Sequence, residues 1–281
     1  MKWLITGGCG FIGSRLVRRV KEREDVIRVV DNFSSSAAVS PEGVHIAPCD
    51  VRDIERFKDW LDDIDIVVHL AAQTDVVKSI LDPTETFSIN TEGVHKLLIA
   101  CTAANVERFI FASSVGAGRL NSPYGASKLT GEAYCEAFRQ CYDLSTLSLR
   151  FSNVYGPGSN HKTSVVAKFI KAALAGETIT IHGNGSHLRD YVYVDDIVET
   201  IIEEAISDHT GVENVASGDL CSINTLITAL GDLGLDFKVE YDADAFTGGS
   251  VSKLSSSINY GGTDLLEGLE ETLKYFRGLE K

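Results

Sequence analysis

Two spacings in this chain place side chains where they can do chemistry. Tyr124-x-x-x-Lys128 sets a phenol and an ammonium one helical turn apart, and Ser114 lies ten positions before the tyrosine. A free phenol titrates near ~10 and is a poor base. A cation at i+4 on the same helix face, ~5–6 Å away, favours the phenolate. Tyr124 would then take or return the proton of a substrate hydroxyl while hydride moves to or from a nicotinamide, whose positive charge adds to the effect. Ser114 would share that proton or steady the carbonyl that forms. Lys128 would also hold the nicotinamide ribose. As a bare pattern, Tyr-x-x-x-Lys is also an ordinary surface pair on a helix.

The second spacing is Gly7-x-x-Gly10-x-x-Gly13. It follows the short apolar run Trp3-Leu4-Ile5-Thr6 and opens a stretch with helical apolar spacing (Phe11, Ile12, Leu16, Val17, Val20). Strand, tight turn and helix in that order suit a dinucleotide: Gly7 for the turn, Gly10 for close approach of a pyrophosphate, Gly13 for helix–strand packing. The N–H groups that open the helix, at Phe11 and Ile12, face the phosphates with the positive end of the dipole behind them. A second buried strand, 26–30, ends in Asp31, 18 positions after Gly13, with Asn32 next. A carboxylate there suits the ribose hydroxyls of NAD and repels the extra phosphate of NADP.

The elements that must position these residues alternate through the first half. Strands are expected at 65–70, 108–112 and 144–151, and helices at 84–104 and 124–141. That rhythm predicts an α/β fold with a Rossmann doubly wound parallel sheet. After Tyr155-Gly156-Pro157 it becomes irregular, with helices expected at 164–175, 195–207, 223–233 and 265–276. Short strands are expected at 178–182, 192–194 and 237–241, and the Ser-rich stretch 250–257 reads as loop. We expect an NAD-binding domain over 1–156, to which residues of about 186–216 return. A smaller C-terminal substrate-binding lobe should cover most of 157–281.

Composition narrows the partners. The 281 residues carry 26 basic and 40 acidic side chains, a net charge of −14. That argues against a nucleic-acid surface. No apolar stretch reaches membrane-spanning length, and glycines interrupt the first apolar run, so neither a membrane span nor a signal peptide is expected. Six cysteines show no C-x-x-C pair and no histidine at metal spacing, which predicts reduced thiols in a cytoplasmic protein and no metal. His69 reads as a packed strand residue.

Longer motifs carry a family resemblance. Thr6-Gly7-Gly8-Cys9-Gly10-Phe11-Ile12-Gly13, His69-Leu70-Ala71-Ala72, Ser113-Ser114 and Ser122-Pro123-Tyr124-Gly125-Ala126-Ser127-Lys128 resemble the extended short-chain dehydrogenase/reductase family. The runs 150–157 (RFSNVYGP) and 183–196 (GNGSHLRDYVYVDD) are similar to its epimerase/dehydratase branch, the UDP-glucose 4-epimerase-like enzymes of nucleotide-diphosphate sugars. The likeness runs from residue 1 to about Phe276. It implies an NAD-dependent epimerase, inverting a sugar carbon (most often C4) through a transient keto sugar, and a homodimer built on the helices near 84–104 and 124–141. The stripe Leu129, Ala133, Ala137 on the second helix fits such a contact as well as it fits internal core.

The resemblance also implies roles. Asp50 and Val51 would sit at the adenine. Leu70, Ala71, Ala72 and Gln73 would line the pyrophosphate and ribose, with Asn90 and Ser113 beside the cofactor. Ser114, Asn153 and Arg189 would bind the sugar and its diphosphate, and Tyr155 would shape the pocket. Arg suits a diphosphate because its planar fork gives paired hydrogen bonds. Read without the family, Arg189 is equally a surface partner for Asp190 or Asp195, and Asp195-Asp196 cap the next helix.

Two departures stand out. Only Val115 to Pro123 separate Ser114 from Tyr124, where family members carry a longer segment over the sugar; Val115-Gly116 replaces the acidic pair of the 4,6-dehydratases, which argues against dehydration. The second diphosphate Arg is also missing, since no Arg falls between Arg189 and Arg277. Lys253 and Arg119 are the candidate substitutes. These departures keep two alternatives open: a reductase or decarboxylase of the same family, and a non-catalytic NAD-binding protein.

Overall fold

The computed structural model describes residues 1–35, 39–243 and 262–279. The Ser-rich stretch 250–257 and Lys253 lie outside them. The chain divides into two units, Met1–Phe151 with Val198–Asn214, and Ser152–Ile197 with Val215–Lys281.

In chain order the first unit opens with β1 (Lys2–Thr6), α1 (Phe11–Glu22), β2 (Val26–Asp31), β3 (His45–Pro48) and β4 (Ile66–His69). It continues with α2 (Val76–Leu81), α3 (Pro83–Phe87), α4 (Gly93–Ala103), β5 (Arg108–Ser114), α5 (Pro123–Tyr142) and β6 (Ser145–Phe151). The chain then forms β7 (Asn153–Tyr155), α6 (Val165–Leu174), β8 (Ile179–His182), β9 (Leu188–Tyr193) and α7 (Val194–Ala205). After β10 (Gly211–Val215) come β11 (Leu220–Ser222), α8 (Ile223–Asp232), β12 (Val239–Asp242) and α9 (Leu265–Leu279).

Seven strands of the first unit form one sheet in the order β10-β6-β5-β4-β1-β2-β3. Neighbours from β3 to β6 are parallel. Every residue of β4 is buried, as is most of β1, which is why these strands read as unbroken apolar runs. The order turns back between β1 and β4, so a crevice opens at their carboxyl ends. Thr6, Asp31, His69 and Ser114 all close strands on that edge.

The expected helix 84–104 is one path with a fault. Pro83–Phe87 and Gly93–Ala103 are α-helical, and Ser88–Glu92 between them is a π-turn. In α5 the buried residues Gly125, Lys128, Gly131, Glu132, Cys135 and Phe138 form one face. A Cβ on Gly131 would run into the Phe111 ring, so the glycine lets α5 lie close on β5. Of the stripe Leu129, Ala133 and Ala137, the two alanines are exposed and Leu129 is half-buried.

The second unit has its own core around Tyr155, Phe169, Leu226 and Leu269. It contains a three-stranded sheet, β11-β9-β7, and the pair β12-β8.

Candidate active site

The glycine turn is built as its spacing requires. Gly7 has φ +70°, and a Cβ there would stand 2.8 Å from the Ala71 nitrogen. A Cβ on Gly13 would collide with the Gly7 carbonyl. In front of Gly10, by contrast, a Cβ would meet only Gly7 O, at 3.3 Å. The first N–H groups of α1, including those of Phe11 and Ile12, have no intrahelical acceptor. Space, open donors and the helix dipole together fit a pyrophosphate.

Asp31 is buried, and its two oxygens are used in different directions. One accepts from Cys9 N at 2.9 Å and the other from Phe33 N at 2.8 Å. The carboxylate that would meet the ribose therefore also straps the glycine turn to β2. Beyond it, Asn32 donates to Asp50 at 3.0 Å, and Arg52 forks onto the same carboxylate at 2.8 and 2.9 Å. Arg52 chiefly holds Asp50 down at about 2. Val51 is buried in the main core.

The segment after β4 is pinned by its main chain. Leu70 N donates to Thr6 O, and Ala71 N to Thr6 Oγ1 at 3.3 Å. The Thr6 hydroxyl lies 2.7 Å from His69 Nδ1. His69 stacks on Phe111 and is depressed to about 3 by burial and then by Lys128, so it is neutral and packed. Gln73 N donates to Asn90 Oδ1 at 2.8 Å, and Asn90 Nδ2 returns a bond to Gln73 O. The Gln73 side chain turns inward to Thr86. Both side chains are thus latches; Ala72 is half-buried beside them.

Ser122 caps α5, accepting from Gly125 N at 3.1 Å, and Pro123 occupies the first turn. Ser114 lies beside the Tyr124 ring and favours its ionised form. Lys128 is 4 % exposed. Its amine donates to Ala112 O at 2.7 Å and lies 4.9 Å from the Phe111 ring centre and 5.9 Å from that of Tyr124. Burial pulls Lys128 down to about 8. Burial raises Tyr124, with Ser114 pulling the other way. Burial of the phenol thus works against the phenolate in the chain on its own.

One group was missed. Glu132, one turn beyond Lys128, is buried and accepts from Ser113 Oγ and from both Arg150 Nε, at 2.7 Å, and Nη2, at 2.6 Å. The Ser113 hydroxyl is therefore spent on Glu132. The signal was present: a second charge at i+4 on a helix face already holding a buried lysine needs a partner.

In the second unit, Asn153 is exposed and donates to Asp190 O at 2.8 Å. Arg189 is half-exposed and donates to Leu188 O at 2.8 Å. Asp190 is buried and accepts from Ser217 N and Gly218 N, so its carboxylate is occupied by the backbone. Asp196 holds Thr263. Tyr155 is a core residue whose hydroxyl reaches Leu265 O at 3.4 Å.

A profile of the NAD dependent epimerase/dehydratase family matches residues 3–216. The chain belongs to that family. Among relatives of this epimerase/dehydratase, a UDP-glucose 4-epimerase of Mycolicibacterium smegmatis is 31% identical over 99% of both chains. A solved UDP-glucose 4-epimerase from Thermotoga maritima, with UDP-glucose, superposes with a TM-score of 0.94 at 32% identity over 100% of both chains. The Thermus thermophilus UDP-glucose 4-epimerase, solved with NAD, gives 0.89 at 32% identity over 99% of both.

Proposed function

We propose that this chain is an NAD-dependent epimerase of a nucleotide-diphosphate sugar, inverting C4 through a transient keto sugar. The observation that carries the reading is Ser114, Tyr124 and Lys128 assembled at the carboxyl edge of the sheet that holds the glycine cradle. The Thermotoga protein, solved with UDP-glucose, makes a UDP-sugar the first substrate to test.

NAD, when bound, would supply the hydride chemistry, accepting hydride from the sugar carbon and returning it. The chain's residues handle everything else. Asp31 and the open end of α1 anchor the dinucleotide. Lys128 holds the nicotinamide ribose and brings positive charge toward the phenol. With that charge and the cofactor's own, Tyr124 takes the proton of the sugar hydroxyl through Ser114, and later returns it to the keto oxygen. Asn153 and Arg189 are assigned to the sugar and its diphosphate. The hydride chemistry belongs to the cofactor, and the protein contributes position and protonation.

Ile99, Ala133 and Ala137 are exposed on α4 and α5, which supports a homodimer through these helices. The six unpaired thiols support a reducing, cytoplasmic setting. No helix of the described residues is long and apolar enough to cross a membrane.

The test is a panel of UDP-, dTDP-, GDP- and CDP-sugars followed by product NMR, with bound cofactor measured in the same sample. Inversion with catalytic, unconsumed NAD is expected. Stoichiometric consumption of NAD(P)H, with no epimer formed, overturns the reading.

A further inference from the structure

We propose that Glu132 is a positioning residue of this centre: one buried carboxylate locks α5 to the ends of β5 and β6 and supplies the counter-charge to Lys128. The inference rests on the catalytic reading of Ser114, Tyr124 and Lys128.

The geometry is a ladder. Tyr124, Lys128 and Glu132 follow one another at four-residue steps, so they share a face of α5. Two of them bond the last residues of β5, Lys128 to the Ala112 carbonyl and Glu132 to the Ser113 hydroxyl, while Tyr124 stands beside Ser114. Ser113 and Arg150 are register partners on β5 and β6, so the carboxylate bridges two neighbouring strands at once. Arg150 engages both oxygens of Glu132, which fixes its plane as well as its distance. A shift of α5 along β5 would break both bonds, so Glu132 sets the height at which Tyr124 stands beside Ser114.

The charge argument follows from what surrounds the amine. From α5 come Tyr124, Glu132 and Cys135; from β4 comes His69; β5 offers only the Phe111 ring and a carbonyl; from β6 comes Arg150, behind Glu132. Cys135 remains a thiol, pushed up to about 12 by burial, and His69 remains neutral. That leaves Glu132, held on both oxygens by the Arg150 guanidinium, as the carboxylate one turn from the amine.

A simpler role exists, that the buried Glu132 only pairs with the partly exposed Arg150. The double variant Glu132→Gln with Arg150→Met separates the two, because it removes the arginine's charge together with the carboxylate, so a change at Lys128 reports the loss of its own counter-charge. The readout is the titration of the Lys128 side chain by carbon NMR, with kcat against pH on the same protein. We expect the Lys128 midpoint to fall by ~1 unit or more, as loss of a neighbouring opposite charge does. The alkaline limb of kcat should move with it, while KM for the sugar nucleotide stays within ~3-fold. A Lys128 midpoint and kcat profile equal to wild type overturn the proposal. If the double variant does not fold, Glu132→Gln is compared with Arg150→Met, which breaks the same pair but keeps the carboxylate: only the first should lower the Lys128 midpoint. The NMR midpoint does not depend on turnover, so a wild type that fails to epimerise refutes the functional reading without touching this test.

Discussion

Tyr124 and Lys128 stand on the same helix face, and burial moves both toward their neutral forms. The phenol is the more demanding case, since it must become an anion before it can take a proton. That places the burden on positive charge brought to it, and makes the hydroxyl itself indispensable. Tyr124→Phe should lower turnover ~10²–10⁴-fold, the usual worth of a positioned acid–base group. Cofactor content, read by release of bound NAD(H) after denaturation, should stay at the wild-type level. A variant retaining more than a tenth of wild-type kcat would show that another group moves the proton. At this scale the glycines, Asp31, Ser114, Tyr124 and Lys128 were legible because each is a residue type at a fixed spacing. Glu132 and Arg150 were not, since their pairing needs β6 to lie beside β5, a fact of topology that no local window contains.

Among the elements, α5 is the one whose placement decides the site. Its closeness to β5 depends on Gly131 lying over Phe111. Gly131→Ala should lift the helix, cost about 1–3 kcal/mol as overpacking does, and lower kcat while the sugar nucleotide's KM changes little. Urea unfolding and steady-state kinetics on one preparation check both halves. The parallel strands of the first half were readable because strands buried on both faces are continuous apolar runs. Other elements were hidden for physical reasons. Helix α2 exposes Val76, Val77, Ile80 and Leu81, so it has no polar outer face to mark a helical period. The π-turn at Ser88–Glu92 inserts a residue without breaking helical composition. Strands β7 and β11 have three residues each, too few to establish alternation.

At the level of the whole molecule, stability should carry the mark of His69. Its folded form is neutral down to about 3, whereas an unfolded histidine takes a proton near 6.5. The unfolded chain therefore binds more protons between those values, and stability falls as pH falls through that window. One linked proton corresponds to about 1.4 kcal/mol per pH unit. His69→Gln should show a shallower loss of unfolding free energy from pH 6 to pH 4 by that amount; equal slopes would mean that His69 is protonated in the folded protein. The thiols give a second global reading. Cys141 is exposed and the other five cysteines are buried. A thiol reagent should titrate one equivalent quickly in native protein and six after unfolding.

The discontinuity of the first unit has a consequence for how the protein is made. Its sheet ends in β10, which lies next to β6, and Arg108 at the start of β5 donates to the Glu204 carbonyl of α7. Both partners are translated only after residues 152–197 have been made. Until then the nascent chain presents β6 as an open margin, the kind of surface that pairs with stray strands. A polypeptide stopped at Phe151 should accordingly aggregate, and adding the 198–214 segment through a short artificial linker should restore a dispersed species in sedimentation. The last stretch of this unit to be synthesised is then the seal on its first.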